Sequence, residues 1–331
     1  MTRQTVLILP FLVSAAAFSQ QNAQPPASTL PLEQRIGHYD PAKTGTSEHV
    51  HAGAGSMAFR PILGANSLST NLIFVHRGII NPHSGIGQHF HNHCEEMFVI
   101  LDGGDAQFTV NGRTSTLPTP SGAPDRMGSA HAIYNPNDTP IQWLNINVGI
   151  SKTYDNFDVG DDRVGAPLDK NPQFVNFHMD AKLLRPAPAS LNATGAVLYR
   201  RLLDPTVFLT TWSFFDHVVI PAGASIAPAA SRDMSEAYYV YKGAGTVTVD
   251  GQTAAIQAGD AIPVDLGQAQ SFAASQAGEP LELLVIGVAR DMAAKEALID
   301  APPVGRGGGG GRGGSGRGGG GRGPGGAGPG R

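Results

Sequence analysis

The stretch HSGIGQHFHNHCEEMFVILDG, residues 83–103, decides the reading of this chain. It carries His89 and His91 two apart, Glu96 five residues later, and Gly103 after a run of β-forming residues. Side chains two apart on a strand face the same way, so both imidazoles point to one side. The residues after His91 turn the chain, and Glu96 starts the next strand. Further on stand Gly128, His131 and Asn135. His131, on a later strand, closes the set. Three imidazoles and one carboxylate suit a divalent transition metal with open coordination positions. Mn, Fe, Ni, Co, Cu and Zn all accept such a set, and the sequence does not choose among them.

The same spacing returns about 140 residues later with its ligands removed. Gly223, Ala229, Ser231, Glu236 and Gly243 are followed by Gly267, Gln270 and Ala274. Hairpin signals repeat at nearly the same offset. Phe108–Val110, Asn111-Gly112 and Thr114–Leu117 make the first; Thr246–Val249, Asp250-Gly251 and Thr253–Ile256 make the second. A repeat supported at turns, glycines and a glutamate implies two copies of one unit. Only the first keeps a metal set, so one metal ion per chain is expected.

Outward from the motifs, the text is short β-type runs between turn signals, which predicts an all-β chain of sandwiches or barrels. At 331 residues it is long enough for two cores. Residues 1–19 read as a signal peptide: Arg3, an apolar stretch from Val6 to Ala17, then small residues, with cleavage after Ser19 or, second, after Ala17. The expected location is therefore secreted or periplasmic. That apolar stretch is too short to span a bilayer and no other run is long enough, so no membrane span is expected. Residues 20–54 read as an N-terminal arm, 55–150 as the metal-binding domain and 151–204 as an inter-domain linker. Residues 205–290 read as the second, degenerate domain and 291–300 as a short helix. Residues 301–331 hold 18 of the 43 glycines and five arginines, and are expected to be a disordered Gly/Arg-rich tail. Without that tail and Arg3 the body has 17 basic against 27 acidic residues. Such a surface opposes nucleic-acid binding, which needs cations for phosphate. Nothing in the composition opposes a homo-oligomer.

The residues His89, His91, Glu96, Gly103, Gly128, His131 and Asn135 resemble the two motifs of the cupin superfamily, over roughly 60–150 and again, stripped, over 205–290. Two positions depart from the pattern: His83 stands at the leading glycine and Arg126 at the proline. The resemblance implies two tandem jelly-roll barrels, a bicupin, with the metal inside the first. It further implies a metal-dependent enzyme with a small-molecule substrate, foremost a dioxygenase-type oxidoreductase acting on a small phenolic or acidic compound. Glu96 would then be catalytic, alternating between ligand and base. A non-redox isomerase or lyase acting on a sugar or sugar acid, and a metal-containing small-molecule binding protein, are the alternatives.

Other residues are read more plainly. His91-x-His93 is a rival register that leaves little room to turn before Glu96. His49-Val-His51 has the same spacing with nothing in register after it, and is expected in an exposed arm or edge strand. Glu95 is expected to face away from Glu96 into solvent. Cys94 is alone and is expected to pack as a small hydrophobe. Phe98, Ile100 and Ile133 are expected to line the barrel.

Overall fold

The structure, a computed structural model, describes residues 30–300. The expected signal peptide at 1–19, the start of the arm and the Gly/Arg-rich tail lie outside the described residues.

Local chemistry builds the hairpins first. Asn111-Gly112 (φ 49° and 75°) and Asp250-Gly251 (48° and 79°) are left-handed at both central positions. That geometry matches the twist of paired strands and favours these residue types. The turns join Ala106–Val110 to Arg113–Leu117 and Ala244–Val249 to Gln252–Gln257. Around each hairpin the chain closes a barrel from a five-stranded and a seven-stranded sheet. In the first barrel the central strands of the larger sheet are Ser121–Asp125, Cys94–Asp102, Ile141–Gly149 and Leu72–Ile80. The smaller sheet holds Ser84–Phe90 and His131–Asn135. In the second barrel the corresponding four strands of the larger sheet are Asp260–Val264, Met234–Lys242, Leu281–Ala289 and Trp212–Ile220.

The seven-stranded sheets are apolar on both faces, which is why their strands read as continuous hydrophobic runs. Phe98, Ile100 and Trp143 face into the first barrel with Ile133 and Phe108. Met97, Val99, Leu144 and Ile146 alternate with them and join Phe215, Tyr239, Leu284 and Ile286 of the second repeat in one cluster. The two barrels therefore share a core between their larger sheets. Glu95 lies on that shared face. It is 1% exposed and accepts hydrogen bonds from Leu209 N (2.8 Å) and Thr210 N (2.7 Å). The expectation of a solvated Glu95 is corrected: alternation turns it away from Glu96, but toward the other barrel rather than water. Arg126 also reaches across, donating to Val207 O and Thr206 O.

Pairing extends the repeat beyond the motifs. Gly37–His38 pairs with Ala261 and Asp260 in the second barrel, and Phe177–His178 pairs with Gly122 and Ser121 in the first. The preceding segment Leu32–Arg35 is a helical turn, and Leu32 is buried in the core of the second barrel. Each barrel thus has one sheet edge covered by a strand from the segment leading into the other, which removes an open edge. After the second barrel, Met292–Asp300 forms a helix whose Lys295 donates to Phe208 O and Thr210 O.

Candidate metal centre

The antiparallel pairing of Ser84–Phe90 with His131–Asn135 places His89 opposite His131. Glu96 is the third residue of the strand Cys94–Asp102 in the facing sheet. Nε2 of His89, His91 and His131 stand 3.3, 3.4 and 3.0 Å from one oxygen, Oε2 of Glu96. All four ligand atoms lie within 4.8 Å of one another. Every residue of the group is 1–2% exposed. His93 is left outside, with a side chain 59% exposed beside Asp155.

The other ring nitrogens set the tautomers. His89 Nδ1 lies 2.9 Å from Gly87 O, His131 Nδ1 lies 3.4 Å from Ser129 O, and His91 Nδ1 meets Asp155 O. A carbonyl only accepts, so each Nδ1 carries the proton and each Nε2 of a neutral ring is a lone pair. Three lone pairs and a carboxylate oxygen then converge without a donor between them. Three imidazolium rings would satisfy the geometry but would bury a net charge of two, at high cost. A divalent cation answers both problems, and His91 Nε2, buried with no hydrogen-bond partner, fits a ligand atom. The residues present therefore fit a metal with N and O ligands.

The electrostatics agree. Burial alone would raise the Glu96 carboxyl, but contact with His131, His89 and His91 holds it well below the carboxylate range. Burial lowers His89 and His131 below the usual imidazole value. Burial also opposes a charge on His91, yet contacts with Cys94 and Glu96 push it up to about 11. A proton held there stands in for a cation, and metal binding would release it.

Several residues at the site carried no readable sequence signal. Asn145 Nδ2 donates to Glu96 Oε1 (2.9 Å), which leaves Oε2 for the histidines. Asp155 and Tyr154 come from the inter-repeat segment; Asp155 also accepts from Asn92 N and His93 N, and Tyr154 lies 5.2 Å from the His91 ring. His51 is a correction. Its ring stacks on His89 at 3.8 Å and its Nδ1 bonds Asp158 Oδ1 (2.6 Å), so it is part of the centre's surroundings rather than an exposed arm. Glycines permit this approach: a Cβ on Gly87 would stand 2.1 Å from His51 O, and one on Gly53 2.3 Å from Gly85 O. His83, at the leading glycine position, adopts glycine's left-handed conformation at φ 51°, as Gly223 does at 73° in the second repeat. Cys94 is buried; it forms a second group with His91 and Asp155, sharing one histidine with the first.

In the second barrel the matching positions form a closed network. Gln270 Nε2 donates to Glu236 Oε2 and lies 2.9 Å from it, and the Tyr238 hydroxyl donates to the same oxygen.

Residues 216–287, in the second repeat, match the family model of the cupin domain. No curated protein sequence matches this chain. Among solved structures, a variant of salicylate 1,2-dioxygenase from Pseudoaminobacter salicylatoxidans in complex with gentisate is similar at 20% identity and TM-score 0.52. That match covers 72% of this chain and 74% of that one. A second variant with gentisate is 16% identical, with TM-score 0.54 and coverage of 80% and 86%. Protein Ylba from E. coli is 13% identical, with TM-score 0.54 and coverage of 77% and 92%. These likenesses show the fold. The molecule is a double cupin barrel, and its first barrel holds a buried metal-binding group of three histidines and one glutamate. Among the described residues, no helix is long and apolar enough to cross a membrane.

Proposed function

We propose that the protein is a metal-dependent oxidoreductase of the dioxygenase type acting on a small phenolic or acidic molecule, with one divalent transition metal at His89, His91, Glu96 and His131. The observation that carries the reading is the convergence of three tautomer-fixed Nε2 atoms on Glu96 Oε2. A fold shared with salicylate 1,2-dioxygenase supports the choice of chemistry. When bound, the metal supplies Lewis acidity and open coordination positions. The histidines give the site a neutral ligand field, and Glu96 lowers the net charge by one. Asn145 holds Oε1 of Glu96 and leaves Oε2 toward the three histidines, so Oε2 would serve in turn as ligand and as acceptor of a proton from a substrate hydroxyl. The barrel interior keeps the site at 1–2% exposure and excludes bulk water. A dioxygenase places both oxygen atoms in its product, so no side chain needs to supply electrons.

Residues 1–19 support a second part of the reading, that the protein is exported and works in a secreted or periplasmic setting. The mass of the mature N-terminus from exported material tests this; an intact Met1 rejects it. For the chemistry, metal-loaded protein is assayed for oxygen uptake with phenols and small acids. Uptake matched to product supports the reading. Full turnover under strict anaerobiosis rejects it in favour of an isomerase or lyase.

A further inference from the structure

Next to the metal-binding group the first barrel presents a continuous set of aromatic rings. His76 stacks on Phe74 at 3.8 Å and 6°. Phe59 lies 5.3 Å from His76, and Tyr154 lies 5.4 Å from Phe74 and 5.2 Å from His91. Register fixes this arrangement. Asn147 pairs with Glu96 on one side and Phe74 on the other; Asn145 pairs with Phe98 and His76. Directly opposed residues share a face, so Phe74 and His76 lie on the interior face that carries Glu96. All four of these rings are only part-buried, unlike the metal-binding residues. Their flat faces, with Tyr154 5.2 Å from the His91 ring, suit contact with a flat ring.

The charge of this surface is the second observation. Arg60 and Arg77 are paired with each other on the opposite face, and Arg77 donates to Tyr239 OH of the second barrel. Lys152 is bound to the carbonyls of Ala65 and Leu68. Glu96 faces inward beside its register partner Asp125, whose carboxyl is raised well above the usual range by burial and by the Glu96 charge. The second barrel shows what a charged version looks like. Its register pair Arg201–Asp216 forms a bidentate bridge, with the guanidinium 4.5 Å over Phe214. At that register the first barrel has Pro61 and His76. Burial pushes His76 down to about 4, so it brings no cation at neutral pH.

We propose that the substrate of the first barrel is a planar phenol whose ring carries no second anionic group. A carboxylate on the part of the ring remote from the metal would be desolvated on the face that carries Glu96, where none of Arg60, Arg77, Lys152 and His76 offers it a cation. This deepens the proposed function and rests on it for the metal. It sets the chain apart from the structures that it resembles, whose gentisate carries a carboxylate.

The test reads binding, not turnover. Full-length protein is loaded with metal, its metal content is measured, and it is titrated calorimetrically with 4-methylcatechol and 3,4-dihydroxybenzoate. The two share the diol and have similar size, and differ by the carboxylate. The expected result is one equivalent of 4-methylcatechol bound per chain, with the acid at least ~10-fold weaker. His76→Arg should remove or reverse that preference. Phe74→Leu should weaken 4-methylcatechol while keeping metal, and serves if the arginine variant does not fold. Equal or tighter binding of the acid by the unaltered protein overturns the proposal, as does no binding of 4-methylcatechol by metallated protein. Binding without oxygen uptake leaves this inference standing and rejects the dioxygenase reading instead.

Discussion

The two barrels place a glutamate at the same point and surround it with opposite chemistry. Around Oε2 of Glu96 the neighbours are lone pairs: three Nε2 atoms at 3.0–3.4 Å, with Asn145 confined to Oε1 and Phe98 on the strand offering no polar group. Around Glu236 they are donors: Gln270 stands where His131 does, and Tyr238 where Phe98 does, and both bond the carboxylate. Asp216 is likewise satisfied by Arg201 and by Tyr199 OH at 2.9 Å. A barrel that satisfies its own acids needs no ion. A barrel that gathers lone pairs around one carboxylate oxygen without donors needs a cation or a proton among them. The difference between a metal site and a retired one is thus a count of donors and acceptors on an unchanged fold.

The largest expected effect comes from copying the second barrel into the first. His131→Gln should weaken metal binding by more than ~100-fold while the protein stays folded, because the Gln–Glu pair is already accommodated 139 residues later. Metal titration with circular dichroism checks this; retained tight binding would break the comparison. Next is the shared core. Glu95→Ala strands the N–H groups of Leu209 and Thr210 and should cost about 3 kcal/mol. Ser235→Ala, at the matching position, should cost about 1 kcal/mol, both read from denaturant unfolding.

A smaller effect should appear as pH dependence in the second barrel. Burial raises Glu236 above its ordinary value, against the bonds from Tyr238 and Gln270. The folded protein therefore binds this proton more readily than the unfolded chain does. Its favourable contribution is complete below the usual glutamate range and is lost as pH rises through the raised value. Glu236→Gln should accordingly stabilise the protein at pH 7 and not at pH 4, in thermal unfolding at both. Stabilisation equal at the two values would contradict the assignment. The smallest expected difference lies in the hairpins. Gly112→Ala and Gly251→Ala should each cost about 1 kcal/mol, since both turns need the same left-handed backbone.

What the sequence made legible was local or periodic. Asn-Gly and Asp-Gly flanked by β-formers marked both hairpins, and period-two spacing put His89 and His91 on one side of the chain, although the strand itself ends at Phe90. The choice of His91 over His93 as the second histidine followed from the room needed to turn before Glu96, and the structure brings His91 into the group. What stayed hidden depends on contacts far along the chain. His51 reaches His89 only because Gly53 and Gly87 let two backbones touch. Asn145 sits in the buried strand IQWLNINVG, whose sequence does not say which carboxylate its amide meets. Glu95 gave no hint of the other barrel behind it, because alternation says which face a side chain takes and not what covers that face. The exchanged edge strands at Gly37–His38 and Phe177–His178 are two residues each, too short for any periodic signal.

The central claim is that acceptor convergence exists in one barrel and not the other, and metal stoichiometry tests it most directly. The unaltered protein, stripped with chelator, reloaded with a divalent transition metal and freed of excess, should hold about one equivalent per chain by elemental analysis. His89→Ala should bring that value near zero, and Glu236→Ala should leave it unchanged. Two tight equivalents, or one that survives His89→Ala and is lost with Glu236→Ala, would contradict the account.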